Sequence, residues 1–430
     1  VPRRTRNLTA SRAISAAIFG NALEWFDFTV FALFAPFIAR AFFPADTEFL
    51  SLLKALATFG IGFIPRPLGA IVLGQYADRA GRRAALTLII VLMSLGAAII
   101  ALTPVYARIG VAAPVLIVIG RLLQGFSVGG EMGGATAYLI EQAPPGRRGF
   151  YASWQFAGQA GAAVAGSLLA LFLTRALTPG ELGDWGWRVP FLAGLVIAPV
   201  GLYLRSTMTE SAEFASRPPD PELAIAGVWR TAKRAVAQSF GITILLTAGT
   251  YIILFYMPTY AAKELGFRQD QAFIGATVSS LLYLVFNPVA GLVSDRIGRM
   301  RHLRIAGAAF AALVPPLFLL LARHPVMPVL IAVQGALGVL LAMYTGPAAS
   351  AIGEMFPPRL RATGLSLGYN LAVPIFGGFA PYFVARMHTG DHLAPAWYIF
   401  ACAIPALASL MLPAGGRRPS APGVDATPSV

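Results

Sequence analysis

The sequence predicts an all-α membrane protein of twelve transmembrane helices in two pseudo-symmetric six-helix halves, on three observations. Its 430 residues are 57% hydrophobic and only 12% charged, with a mean hydropathy of +0.69, a balance that belongs to membrane proteins. Apolar runs of about 20 residues, enough to cross a bilayer, recur twelve times. A charged, glycine-punctuated decapeptide, Gly74-Gln-Tyr-Ala-Asp-Arg-Ala-Gly-Arg-Arg83, returns as Gly291-Leu-Val-Ser-Asp-Arg-Ile-Gly-Arg-Met300 followed by Arg301. The offset is 217 residues (295 − 78), about half the chain.

The apolar segments fall at about 14–40, 51–76, 84–107, 112–140, 150–174 and 189–207 in the first half. The second half has them at about 237–262, 270–294, 302–322, 326–355, 362–386 and 393–412. The longest exceed a bilayer thickness and are expected to tilt or protrude. Each decapeptide copy sits between two apolar runs, and such a sequence cannot lie in hydrocarbon, so both must be tight loops. The stretch 208–236, with Pro218-Pro219-Asp220-Pro221, is expected as a cytoplasmic linker between halves 14–207 and 237–412. Residues 1–13 read as a cytoplasmic N-terminal segment. Residues 413–430, rich in Pro, Gly and Ser, read as a disordered cytoplasmic tail. A second echo supports the division: Glu141-Gln-Ala-Pro-Pro145 with Arg147 and Arg148, and Glu354-Met-Phe-Pro-Pro358 with Arg359 and Arg361, 213 residues apart. Two related halves of membrane helices are a transporter's architecture.

Charge sets the orientation. Of 33 Lys and Arg, 22 fall on the side of the decapeptide loops, nine on the other side, and two, Arg66 and Arg121, inside helices. The basic side is therefore expected to be cytoplasmic, with both termini there. The net charge of +14 belongs to these loops and implies no nucleic-acid partner. The single Cys402 excludes an intrachain disulfide, and four scattered histidines give no metal spacing. With no nucleotide loop and no nucleophile–base set, neither an enzyme nor a cofactor is expected. A receptor would need an output domain, which the tail is too short to form.

An ionisable side chain inside a membrane helix costs on the order of 3 kcal/mol, so Glu24, Asp27, Arg66, Arg121 and Glu131 are the informative residues. Asn21, Glu24 and Asp27 are spaced i, i+3, i+6 on the first helix and lie within roughly a turn of one another. Counting ~1.5 Å per residue from the loops places Asp27, Arg66 and Glu131 in one midplane cluster, with Glu24 nearby and Arg121 further out. The protonation of such carboxylates responds to burial and to a neighbouring arginine, which suits Glu24, Asp27 and Glu131 to proton coupling. A permanent Arg66–Glu131 ion pair is the alternative. At the loops, Gly81 permits a tight turn, and Asp78 can accept hydrogen bonds from Arg82 or from a helix N-terminus. Asp78, Arg82 and Arg83 in one half, with Asp295 and Arg299 in the other, are expected to form a gate.

These motifs resemble a known family. The two Asp-Arg-x-Gly-Arg loops are similar to the loop signature of the major facilitator superfamily, and Gly120-Arg-Leu-Leu-Gln-Gly125 to its fourth-helix motif. Gly20-Asn-Ala-Leu-Glu-Trp-Phe-Asp-Phe28, Arg66-Pro-Leu-Gly69, Gly129-Gly-Glu-Met-Gly-Gly134, Gly149-Phe-Tyr-Ala-Ser-Trp-Gln155 and Asp184-Trp-Gly-Trp-Arg-Val-Pro-Phe191 resemble its metabolite–proton symporter branch. Phe42-Phe-Pro-Ala-Asp-Thr-Glu-Phe49, Tyr138-Leu-Ile-Glu141, Met343-Tyr344 and Phe376-Gly-Gly-Phe-Ala-Pro381 most resemble the citrate– and tricarballylate–proton symporters. The resemblance runs over about 13–412.

It implies a secondary transporter importing a small carboxylate, citrate or a related tricarboxylate, driven by a proton gradient without a cofactor. By the same resemblance Arg121 serves coupling or cavity electrostatics. Alternatives are a dicarboxylate, a shikimate-like acid or a zwitterionic osmolyte, and an exporter run as an antiporter. A polyanion needs several cationic or hydrogen-bonding groups; the candidates are Asn21, Arg66, Arg121, Gln155, Gln159, Tyr344, Tyr369 and Asn370. Tyr251, Tyr256 and Tyr283 read as packing residues. The expected setting is an inner membrane and a functional monomer.

Overall fold

A computed structural model describes residues 18, 21–22, 24–80, 82–129, 131–206, 224–358, 360–387 and 391–412. The side chains of Asp78, Arg82, Arg83 and Glu131, assigned above to gating and coupling, lie outside the described residues. So do the N-terminal segment before Ile18, residues 207–223 of the expected linker, and the tail.

Nine helices among the described residues are long and apolar enough to cross a membrane, and a bent pair makes a tenth. In chain order the spanning helices are α1 (Glu24–Leu33 and Ala35–Phe42), α2 (Glu48–Tyr76), α3 (Arg82–Leu102), α4 (Ala112–Gln142), α5 (Arg148–Ala176) and α6 (Val189–Ser206). The second set is α7 (Lys233–Glu264), α8 (Gln269–Ile297), α9 (Arg299–Arg323), α10 (Met327–Glu354), α11 (Arg361–Met387) and α12 (Ala394–Met411). α3 and α6 bring the total to twelve. A short helix, Ala224–Thr231, precedes α7.

Local chemistry explains the interruptions. α1 bends by 70° around Phe34, where Pro36 opens the second segment and has no N–H to continue the ladder. α2 begins at Thr47, whose hydroxyl accepts from Leu50 N at 3.1 Å. The turn between α8 and α9 rests on Gly298, whose φ of +91° only glycine adopts readily. α7 and α11 each contain a π-helical turn, Tyr251–Tyr256 and Val373–Gly378, a device common where a helix serves a functional site. The Trp-rich stretch before α6 is an anchor: Trp187 is buried edge-on against Phe42, with the Arg188 guanidinium stacked on it at 4.3 Å.

The halves meet along α5 against α8 and α10, and along α2 and α4 against α11. Within the first half, α2 and α4 touch backbone to backbone: a Cβ on Gly69 would stand 1.9 Å from Phe126 O, and one on Gly125 1.5 Å from Gly62 O. Large apolar side chains such as Leu68, Phe172 and Val196 point outward, where a bilayer accommodates them.

Candidate functional site

At the centre, two arginines are wholly buried among aromatic rings. The Arg66 guanidinium carbon lies 4.2 Å from the Phe63 ring, 4.9 Å from Phe28 and 5.4 Å from Trp25. Arg121 stands over Phe28 at 4.5 Å, Phe31 at 4.6 Å and Phe59 at 5.1 Å. Phe28 and Phe63 thus lie against both cations, which are close enough to repel one another. Ring faces offer a guanidinium some compensation for lost water, but they accept no hydrogen bonds. Arg66 Nε and Nη2 and Arg121 Nε have no hydrogen-bond partner among the described residues. Donors buried in that state are costly.

Arg121 Nη1 donates to Gln124 Oε1 at 2.9 Å, and Gln124 Nε2 donates to Asp27 Oδ2 at 3.3 Å. This places Asp27 with Arg121 and corrects the grouping of Asp27 with Arg66 that depth counting suggested. Counting residues gives depth but not the face of the helix a side chain occupies, and Gln124 on α4 is what joins Arg121 to Asp27. Asp27 Oδ1 has no partner among the described residues and faces Gly194 of α6, 2.6 Å from where a Cβ there would stand. Glu24 is buried one turn earlier on α1.

The remaining candidates divide into four groups. Asn21 and Gln155 are bonded to each other, Asn21 Nδ2 to Gln155 O at 2.8 Å and Gln155 Nε2 to Asn21 Oδ1 at 3.1 Å, tying α1 to α5. Asn370 Nδ2 donates to Gly129 O at 3.0 Å, across the two halves. The Tyr369 hydroxyl faces Gln159 and Arg66, and Gln159 Nε2 is unpaired. Tyr344 does not join this cluster. Its hydroxyl donates to Ile242 O at 3.1 Å and its ring packs on Phe310, so it joins α10 to α7 and α9.

Two residues of the centre escaped the sequence reading. Gln124 stands three residues after Arg121, a spacing that puts it on the same helix face, yet it was read only as part of the Gly120–Gly125 motif and not as a site residue. Tyr251, set aside as packing, does pack on Trp25, Phe59 and Phe63. Its buried hydroxyl is unpartnered, however, and lies near Arg66 and Arg121.

At the end carrying the decapeptide loops, Asp295 accepts from Gly149 N at 2.8 Å and Phe150 N at 3.0 Å. These are the free N–H groups at the start of α5, in the other half. Arg299 holds Asp295 at 3.0 Å and Glu354 at 2.9 Å. Arg361 faces Glu141 at 3.7 Å, again across the halves. At the opposite end, Glu48 pairs with Arg40 at 2.7 Å and with Lys263 of the other half at 3.1 Å. Asp270 pairs with Arg268 at 2.9 Å and reaches Arg175 of the other half at 3.8 Å. Contacts at both ends hold the halves together around the arginines, an occluded arrangement.

The family model described as Sugar (and other) transporter matches residues 13–217, and that of the Major Facilitator Superfamily matches 240–428. A citrate-proton symporter of Klebsiella pneumoniae is 39% identical over 91% of this chain and 89% of its own length. The chain belongs to the major facilitator superfamily. Within it, the chain sits among metabolite–proton symporters. An alpha-ketoglutarate permease of Escherichia coli is 33% identical over 94% of both chains. A proline/betaine transporter of Salmonella typhimurium is 32% identical over 91% of this chain and 81% of its own. The crystal structure of a D-xylose-proton symporter shares the fold, with a TM-score of 0.76 at 20% identity over 94% of this chain and 98% of that one. These relatives are transporters, and the superfamily member described here is a multi-pass membrane transporter rather than an enzyme.

Proposed function

We propose that this transporter imports a small polycarboxylate, citrate or a related tricarboxylate, by proton symport and alternating access. The observation that carries the reading is the pair of buried arginines, whose N–H groups find no full set of acceptors among the described residues and call for an anionic one. Arg66 and Arg121 bind carboxylates, while Gln159, Tyr369 and Tyr251 complete the polar lining. Asp27 carries the proton, with Gln124 transmitting to it whether Arg121 is engaged by substrate; Glu24 and Glu131 assist. Substrate at Arg121 weakens that arginine's hold on the Gln124–Asp27 connection, so anion and proton enter together. No cofactor takes part, since the proton gradient supplies the energy.

The basic end faces the cytoplasm of a bacterial inner membrane, with both termini on that side. Asp295 and Arg299, with their counterparts Asp78, Arg82 and Arg83, form the inner gate. The protein works as a monomer in the bilayer, with no nucleic-acid partner. The citrate-proton symporter relatives favour a tricarboxylate over the dicarboxylate, shikimate-like acid or zwitterion of other branch members. Two intramembrane cations disfavour an exporter of cationic drugs.

The test is uptake of labelled citrate into proteoliposomes under an imposed inward proton gradient. Tricarballylate, succinate, α-ketoglutarate, shikimate and betaine serve as competitors. Gradient-dependent citrate uptake blocked best by tricarballylate is the expected result. Absence of citrate uptake, with transport of another of these compounds, overturns the substrate.

A further inference from the structure

The two halves line the centre with different chemistry. The arginines and Asp27 come from the first half. In the second half, the described buried polar groups away from the helix ends are almost all neutral, among them Tyr283, Asn287 and Thr345. These three, on α8 and α10, are each fully buried. Thr345 Oγ1 donates to Leu341 O at 2.9 Å, so it has only lone pairs to offer its other neighbour. It therefore accepts from Asn287 Nδ2, at 2.9 Å. That bond fixes the amide orientation and leaves Asn287 Oδ1 as a buried acceptor with no partner among the described residues. The Tyr283 hydroxyl, one helical turn earlier, lies beside the Thr250, Asn287 and Thr345 side chains but makes no hydrogen bond of good geometry to any of the described residues. An unused acceptor and an unused donor thus stand together in the buried interior, where each is costly alone.

An alcohol satisfies both at once, giving its proton to the acceptor and a lone pair to the donor. A carboxylate cannot, because it has no proton for Asn287 Oδ1. Tyr369 links this place to the charged wall, lying close to Tyr283 on one side and to Arg66 and Gln159 on the other. We propose that Tyr283 and Asn287, oriented by Thr345, form a neutral subsite for the hydroxyl group of a hydroxycarboxylate whose carboxylates are held by Arg66 and Arg121. The assignment rests on the carboxylate reading above and adds what distinguishes one carboxylate from another. The arginines select for charge, and the α8–α10 pair selects for the alcohol.

The experiment compares two substrate pairs that differ only by a hydroxyl: citrate against tricarballylate, and malate against succinate. Initial uptake rates are measured for the wild type, Tyr283→Phe and Asn287→Leu in proteoliposomes. The wild type is expected to prefer the hydroxylated member of whichever pair it carries. In Tyr283→Phe that preference should fall by about 10-fold, through loss of the hydroxylated substrate's uptake while the other member's uptake is kept. A purely structural role would lower both members together. An unchanged preference ratio in a folded, active Tyr283→Phe variant overturns the subsite. Asn287→Leu provides the acceptor half of the same test and should reduce the same ratio. If the wild type carries malate and succinate but neither tricarboxylate, the tricarboxylate reading fails and the second pair still decides the subsite. If it carries none of the four, the carboxylate reading and the subsite fall together.

Discussion

Arg66 is buried to 1% exposure against three rings, and two of its nitrogens, Nε and Nη2, have no acceptor among the described residues. A binding group held in that condition should gain more from its ligand than a solvated one. Citrate at about 100 times its Kd is therefore expected to stabilise the wild type by about 2.7 kcal/mol in thermal unfolding. Arg66→Met should show no shift, and an undiminished shift would remove Arg66 from the site. Gln124 is the second residue on which the cycle depends, since it joins Arg121 to Asp27. Gln124→Leu deletes hydrogen bonds to two charged groups, so gradient-driven uptake should fall about 10-fold or more. Substrate exchange at equal pH on both sides should persist, and a variant with normal gradient-driven uptake would sever Gln124 from coupling. Asp27→Asn should likewise end the dependence of uptake on the proton gradient, as seen by measuring uptake over a range of outside pH.

At the scale of elements, the arginines owe their placement to backbone contact between α2 and α4. Gly69, Gly125 and Gly129 let the helices approach until a single Cβ would overlap the facing backbone. Neither helix can give locally without moving Arg66 or Arg121, because Gly129 packs on Arg66 O and Gly62 on the Arg121 guanidinium. Gly125→Val is expected to destabilise by about 1–3 kcal/mol at least, with loss of monodisperse protein in size-exclusion chromatography. Gly134→Ala, where nothing lies within 4 Å of the added carbon, should melt like the wild type. These glycines were visible in the sequence as parts of motifs. Their contacts were not, because a glycine's use is set by whatever approaches it. The π-turns of α7 and α11 had no sequence signal either, although both lie where the halves meet the aromatic centre.

The whole molecule alternates by releasing one end while keeping the other. The end with the decapeptide loops is held by Asp295 capping α5 and by Arg299. The opposite end is held by Asp270 and Glu48. Exposed pairs such as Glu48 with Lys263 are worth little singly, so the buried carboxylates should dominate. Asp295→Asn is expected to favour the state open at the loop end, and Asp270→Asn the state open at the other. Labelling of single cysteines placed at each end would report the two shifts, and a shift of the same sign in both variants would refute the two-latch scheme. The relation of Asp295 to a helix N-terminus was legible in the sequence as an acid beside a tight turn. The identity of that helix, α5 of the other half, was not.

By itself the sequence determined the number of spans, their division into two repeated sets, the family, and the presence of two arginines within hydrocarbon. Each follows from a one-dimensional rule. A membrane admits a backbone only as helix or closed barrel, so hydropathy counts the spans, and charged residues stand out against an apolar background. The tertiary structure alone decided that Asp27 answers to Arg121 rather than Arg66, that Asn21 and Gln155 satisfy each other, and that Tyr344 packs while Tyr251 and Tyr283 hold unused hydroxyls. In a membrane protein the lipid-facing and protein-facing sides of a helix are both apolar. Periodicity therefore says little about rotation, and residue number gives depth without the face a side chain occupies. Which side chains meet is then a matter of packing between helices distant in the chain.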